Sequence, residues 1–368
     1  MVAKTSDLLK QFSPGRILLP VILGLGIVGY TLYGELVKSE LPIGEALNRF
    51  AWTSRSVWWI ALAFLMMMLR DFGYLWQLRI LTDRKLGWRT SLEIVLLWDF
   101  FAAVSPSMVG GAAVAVFMLV KEQISIGRST AIVFTTVFLD QVFYTSLPFF
   151  ASLFVPQAEI FAPLEYVRSE LLGTSMMVGF WIAWGGLVVY LLLLIGALFV
   201  APHWINWWLT RLFMLPMFRF WRARGLHMVN DLLTASRDLR DRKSIFWFQV
   251  WMATSLAWIG RYLVVNCVLA AFSPMPMSLI DHLLAIGRQA VLWIIMVLSP
   301  TPGSAGVAEL GFSWLFGDFV PAGVALGLAV LWRLVSYYPY LIIGVPVMTR
   351  WVRRVYGTDV RKPQIGIE

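Results

Sequence analysis

Eight ionisable residues interrupt sequence otherwise suited to hydrocarbon: Arg70, Asp71, Asp99, Asp140, Arg261, Arg288, Glu309 and Arg333. A charge at the centre of a membrane helix costs about 2.5–3.5 kcal/mol on insertion scales, so each needs a partner or a wet cavity. Four arginines suit an anionic head group, because a guanidinium grips phosphate with a planar fork of donors. The carboxylates suit those arginines, or the cationic part of a zwitterionic head group. Blander roles stay open for each. Arg70 and Asp71 could pair with a neighbouring span, and Arg261 and Arg288 could lock the bundle. Asp99 and Asp140 could orient nearby backbone, and Glu309 could simply be an acid in a helix's first turn.

Catalysis fits these residues poorly. A hydrolase needs an activated nucleophile or a metal. The three histidines, His203, His227 and His282, fall at or beyond the ends of apolar segments, so no Ser–His pair reaches the midplane. Ser304 in "PGSAG" imitates a nucleophile loop but lacks a base, and Asp71 and Asp140 lack the Gly-Asp context of intramembrane aspartic catalysis. The expectation is a non-enzyme with no catalytic residue, no metal site and no cofactor. The rivals are a phospholipid transferase that works through its arginines and a scaffold that binds lipid without moving it.

The elements that position these charges are membrane helices. The chain is 59% hydrophobic and 14% charged over 368 residues, far from the balance of a soluble domain. Apolar runs long enough to cross roughly 30 Å of hydrocarbon predict full spans near 17–34, 57–80, 129–154, 175–201, 245–272 and 322–349. The first follows Lys4, Lys10 and Arg16 without a small-x-small cleavage site, which predicts a retained helix. Two further segments are interrupted, 93–120 by "SPSMVGG" (105–111) and 280–319 by "PTPGSAG" (300–306). The arms of 93–120 are about 12 and 9 residues, and the second arm of 280–319 is also about 12, too short to span at about 1.5 Å per residue. Irregular backbone survives at membrane depth only when buried in protein or beside water. Both segments therefore read as re-entrant hairpins. Helix starts after Gly110–Gly111 and after Gly303–Gly306 would offer free N–H groups to phosphate.

Charge orients the whole. With 93–120 and 280–319 re-entrant, the basic groups of 79–89, 121–128, 203–244 and 350–362 fall on the cytoplasmic side with both termini. Only Lys38, Arg49, Arg55 and Arg168 fall outside. The net charge of +9 is thus accounted for by loops against anionic lipid rather than by nucleic acid. The segment 203–244 begins with Trp, Phe and Arg interleaved, as an interfacial helix does. The single cysteine, Cys267, excludes an intrachain disulfide. The fold class is an all-α polytopic membrane protein, one transmembrane domain over 1–368. It has about six full spans and two oppositely oriented hairpins, an inverted-repeat-like order in which broken helices meet near the midplane. Homo-oligomerisation is compatible with this pattern.

"SPSMVGG", "PTPGSAGVAEL" and "RLVSYYPYLIIG" (333–344) resemble, in order and spacing, the transmembrane domain of lysylphosphatidylglycerol synthase/flippase proteins and their stand-alone relatives. The resemblance covers about 55–350. It implies movement of a phospholipid, or another lipid-linked anionic or zwitterionic head group, between leaflets of the cell membrane. The residues it implies are Ser105, Pro106, Gly110, Gly111, Pro302, Gly303, Gly306, Glu309, Arg333 and Tyr337. The chain departs from the pattern at Ser304, where a second glycine is common, and at "LDQ" (139–141), where an acid followed by arginine is common. No soluble aminoacyl-transferase segment follows the last span, so lipid aminoacylation is not expected. Within this reading Arg333 and the Gly303–Gly306 turn would hold a lipid phosphate, with Glu309 paired to Arg333, to Arg288 or to a cationic head group.

Overall fold

A computed structural model describes residues 52–105, 108–165, 170–196, 202–215, 242–297, 299, 301–321 and 324–357, together with 222 and 226. Among these residues the chain is helical, without strands. The helices are α1 (Ser54–Leu81), α2 (Trp88–Val104), α3 (Met108–Lys121), α4 (Ile126–Phe154), α5 (Gln157–Glu165) and α6 (Glu170–Ile195). They continue with α7 (Pro202–Met214), α8 (Ser244–Phe272), α9 (Leu279–Val297), α10 (Val307–Phe316), α11 (Ala325–Ser336) and α12 (Tyr338–Gly357).

Six stretches are long and apolar enough to cross a membrane: α1, α4, residues Met177–Ile195 of α6, α8, α9, and Ala325–Val355 across α11 and α12. The protein is a multi-pass membrane protein. The expected span at 17–34 lies outside the described residues, as does most of 216–241; within 203–244 the described helix is α7.

Local chemistry explains the boundaries. Thr53 caps α1 by accepting from the Ser56 backbone N–H at 3.2 Å, and the Ser56 hydroxyl reaches back to the Thr53 N–H. α2 stops at Val104 because Ser105 precedes Pro106, and a pre-proline residue is driven to extended backbone; Ser105 has ψ 143°. Pro106 itself lies outside the described residues.

Three expectations are revised here. The arms around the first break are Trp88–Val104 and Met108–Lys121, about 25 and 21 Å long rather than 18 and 14 Å. Gly110 and Gly111 consequently lie inside α3 instead of ahead of a helix start. A Cβ on Gly111 would sit 3.0 Å from Ala102 Cβ and from Trp98, so this glycine lets the second arm lie against the first. In 280–319 the first arm, α9, is by length and composition a candidate crossing in its own right. The expected single span 322–349 is broken at Tyr337 (φ −128°, ψ −56°). Pro339 is the cause: it has no N–H to offer the preceding turn, and its ring disfavours continuous helix across Tyr338.

The central contact is α1 against α8. A Cβ on Gly73 would come within 2.7 Å of Ala257 N, and one on Gly260 within 2.7 Å of Met66 O and 2.9 Å of Arg70 N. Small residues let two backbones approach in lipid, where apolar side chains gain little by leaving the tails. The approach fixes the depth of Arg70 against that of Arg261, one residue beyond Gly260. Two apolar cores flank this axis. One gathers Phe100, Met118, Leu119 and Ile132 with Leu341 and Trp351. The other gathers Phe161, Val268, Phe312 and Phe316 with Leu328.

Candidate functional site

Between the helices lies a cavity of about 700 Å3. Of the residues singled out by sequence, Arg70, Asp99, Ser105, Asp140, Arg261, Gly303, Ser304, Arg333 and Tyr337 line it. Asp71, Gly111, Arg288, Gly306 and Glu309 do not, although Asp71 and Glu309 bond to residues that do. Gly110 lies in α3.

The first cluster centres on Arg70, which is 2% exposed. Its Nη1 and Nη2 donate to the two oxygens of Asp99 at 2.6 and 2.7 Å, a bidentate fork. Nη1 also donates to Asp71 Oδ1 at 2.7 Å and to the Tyr340 hydroxyl at 3.0 Å. Tyr340 in turn donates to Asp71 at 2.6 Å. The adjacent residues of α1 thus converge on one network with α2 and α12. Two carboxylates share one guanidinium here.

The second cluster lies at the other break. Gly303, Ser304 and Gly306 take left-handed backbone, with φ of 56°, 56° and 83°. Ser304 tolerates this because its hydroxyl is held by Met296 O at 2.8 Å. Past the turn, Glu309 accepts from the Gly306 N–H at 2.7 Å and from Arg333 Nε at 2.9 Å. Arg333 Nη2 donates to Gly303 O at 2.7 Å. Both side chains are buried. The protein's own carboxylate therefore occupies the N–H and the guanidinium edge that the sequence reading assigned to a phosphate. Glu309 pairs with Arg333, not with Arg288.

Tyr337 joins the two breaks. Its hydroxyl donates to Ala103 O at the end of α2 at 3.0 Å, while Arg333 lies 4.7 Å from its ring centre. It covers Gly303 so closely that a Cβ there would meet the hydroxyl at 2.3 Å.

Arg288 belongs elsewhere. It bonds Asp318 at 2.6 and 2.8 Å, Leu315 O at 2.9 Å and Glu159 O at 2.9 Å, tying α9 to α5 and α10. This is the bundle-locking role left open by its sequence context.

A third group was only half legible. Asp140 accepts from Trp258 Nε1 at 2.7 Å and from the Tyr74 hydroxyl at 3.2 Å. Arg261 lies 5.3 Å from the Trp258 ring centre and 5.1 Å from that of Trp293. Sequence reasoning passed over Trp258, Tyr262, Trp293 and Tyr340, all lining the cavity. One signal was present: Trp258 precedes Arg261 by three residues, which puts both on one helix face. Among the described residues no group of His, Cys, Asp and Glu is arranged to hold a metal ion.

The sequence matches a family described as the lysylphosphatidylglycerol synthase TM region over residues 17–344. It is also similar to a UPF0104 membrane protein of Archaeoglobus fulgidus, 26% identical over 313 residues, covering 78% of this chain and 85% of the relative. The broken helices, the Pro-Gly turn with its buried glutamate and the Tyr337 contact that joins them all lie within the matched range, and the chain belongs to the lysylphosphatidylglycerol synthase transmembrane family.

Proposed function

We propose that the protein moves a lipid across the cell membrane, passing its phospholipid or other lipid-linked anionic or zwitterionic head group through the cavity between the two breaks. The observation that carries this reading is the cavity itself. About 700 Å3 of space lies among membrane helices and is lined by Arg70, Asp99, Asp140, Arg261 and Arg333 together with apolar and aromatic side chains. Charges placed there face one another or a polar guest, because lipid tails cannot solvate them. Membership of a lipid-related family supports the same reading.

Within it, α2–α3 and α9–α10 are read as hairpins entering from opposite sides, and Tyr337 is the point at which they touch. Both termini face the cytoplasm. No chemical step is assigned, so lipid leaves as it entered, and movement is downhill or coupled to an ion.

Reconstituted vesicles carrying fluorescent phospholipids test the proposal. Quenching from outside should reach well beyond the outer leaflet when the protein is present. Quenching that stops at the outer leaflet, as in protein-free vesicles, would reduce the protein to a lipid-binding scaffold. A new covalent lipid product would instead make it an enzyme.

A further inference from the structure

One wall of the cavity holds an acid and a base that do not touch. Asp140 is the middle residue of α4, and Arg261 lies mid-way along α8. Trp258 contacts both. Its indole N–H donates to Asp140 at 2.7 Å, while its ring faces the Arg261 guanidinium at 5.3 Å. Trp293, on α9, packs edge-on to Trp258 at 5.3 Å, and its ring centre lies 5.1 Å from the Arg261 guanidinium.

The other membrane arginines are already matched. Arg70 has Asp99 and Asp71, Arg333 has Glu309, and Arg288 has Asp318. Among the described residues, no carboxylate forms an ion pair with Arg261 and no cation forms one with Asp140. Opposite charges in a medium of low dielectric attract strongly, so a fold that keeps them apart on one cavity wall leaves each to meet something else.

The donors around Arg261 say what that is. Among the described residues, Arg261 Nε, the Tyr262 hydroxyl and Trp293 Nε1 are buried and meet no acceptor, and all three residues line the cavity. Unmatched donors on three residues that line the same cavity, one of them a guanidinium, fit a group rich in acceptor oxygens. Asp140 has the opposite character, a carboxylate whose hydrogen bonds among the described residues come from the neutral donors of Trp258 and Tyr74. It can still accept from a primary ammonium.

We propose that Arg261 and Asp140, both in contact with Trp258, form a split site for a zwitterionic phospholipid head group, its phosphate on Arg261 and its primary ammonium on Asp140. The assignment rests on reading the cavity as a lipid path. It deepens that reading by separating the residues that hold the fold from those that select the head group.

Purified protein exposed to equimolar phosphatidylethanolamine, phosphatidylglycerol and a phosphate-free diacyl glycolipid, followed by native mass spectrometry, tests the site. The wild type should retain phosphatidylethanolamine several-fold over either competitor. Arg261→Gln should lose the advantage of both phospholipids over the glycolipid. Arg261→Lys, which keeps the charge without the fork, should keep part of it. Asp140→Asn should reverse the order of the two phospholipids. Equal loss of both in Asp140→Asn, or glycolipid retained as well as phosphatidylethanolamine by the wild type, would overturn the proposal. So would displacement by soluble phosphoethanolamine as effective as displacement by the lipid, which would make the ligand a free metabolite. The same variants in vesicles separate the two ideas. Retention without leaflet movement removes the transport reading and leaves the site. Movement with unaltered head-group preference in both variants removes the site and leaves transport.

Discussion

Two arginines of one cavity differ in whether the protein completes them. Arg333 is bonded by Glu309 and the Gly303 carbonyl and flanked by the rings of Trp332 and Tyr337. Among the described residues Arg261 meets the rings of Trp258 and Trp293, and its Nε has no acceptor. The two are equally conspicuous in the sequence. What separates them is the neighbour: a glutamate one turn past a strained Gly-Ser-Ala-Gly turn pairs with Arg333, whereas the neighbour of Arg261 is a tryptophan whose indole N–H is bonded to Asp140. A buried charge matched by the chain fixes the shape of the cavity, and one that is not matched is available to a guest.

The comparison can be broken by removing partners. Glu309→Gln or Arg333→Gln should cost about 3–5 kcal/mol, the usual penalty for stranding one member of a buried pair. The double replacement should recover a good part of that. A thermal melt in detergent with no recovery in the double variant would show that the two residues act independently. Arg70→Gln should come next, because Asp71 and Asp99 would be left to repel each other beside the Tyr340 hydroxyl. Gly260→Val should cost about 1–3 kcal/mol by overpacking, since its side chain would strike the α1 backbone. It should also blunt lipid retention, by shifting Arg261 relative to Arg70. Arg261→Gln should lie at the other extreme, with a melting temperature unchanged or raised, because it removes a buried-cavity charge that forms no ion pair among the described residues.

The smallest effect belongs to the surface. Asp83, just past α1 in left-handed backbone, binds Arg128 at 2.7 Å and Arg242 at 2.8 Å. Partial burial works to raise its pKa, but the Arg242 hydrogen bond and the charges of Arg128, Arg242 and Lys85 outweigh it and hold the carboxyl below its usual range. A depressed carboxylate stabilises the fold above its unfolded value, about 3.9, and loses that contribution as pH falls through the lower folded value. At neutral pH the contribution is fully present, yet for so exposed a pair it should stay under about 1 kcal/mol. Asp83→Asn should therefore flatten the acid limb of a stability–pH curve and change little else.

Much of the fold was legible because hydrocarbon imposes a simple rule on it: α1, α4 and α8 follow directly from apolar length, and both predicted breaks occur. The break at Tyr337 was not, because Pro339 sits in a run apolar enough to pass for one helix. The deep charges could be named from sequence, since each is anomalous where it stands. Their pairings could not, because Arg70 meets Asp99 across 29 positions and Arg333 meets Glu309 across 24. Spacing within one helix says nothing about such contacts. Gly110 and Gly111 misled for a related reason: a glycine pair next to a proline looks like a loop, whereas Gly111 is a helical residue that makes room for Trp98 and Ala102.

The most direct test of the central claim sets the two arginines against each other in one experiment. The melting temperature of the wild type, of Arg261→Gln and of the Arg333→Gln/Glu309→Gln double variant is measured with and without added phosphatidylethanolamine. Added lipid should raise the melting temperature of the wild type and of the double variant, whatever the latter's starting stability, and should leave Arg261→Gln unmoved. A lipid-dependent rise that survives in Arg261→Gln and disappears in the double variant would contradict the account, placing the head group at the Gly303–Gly306 turn after all.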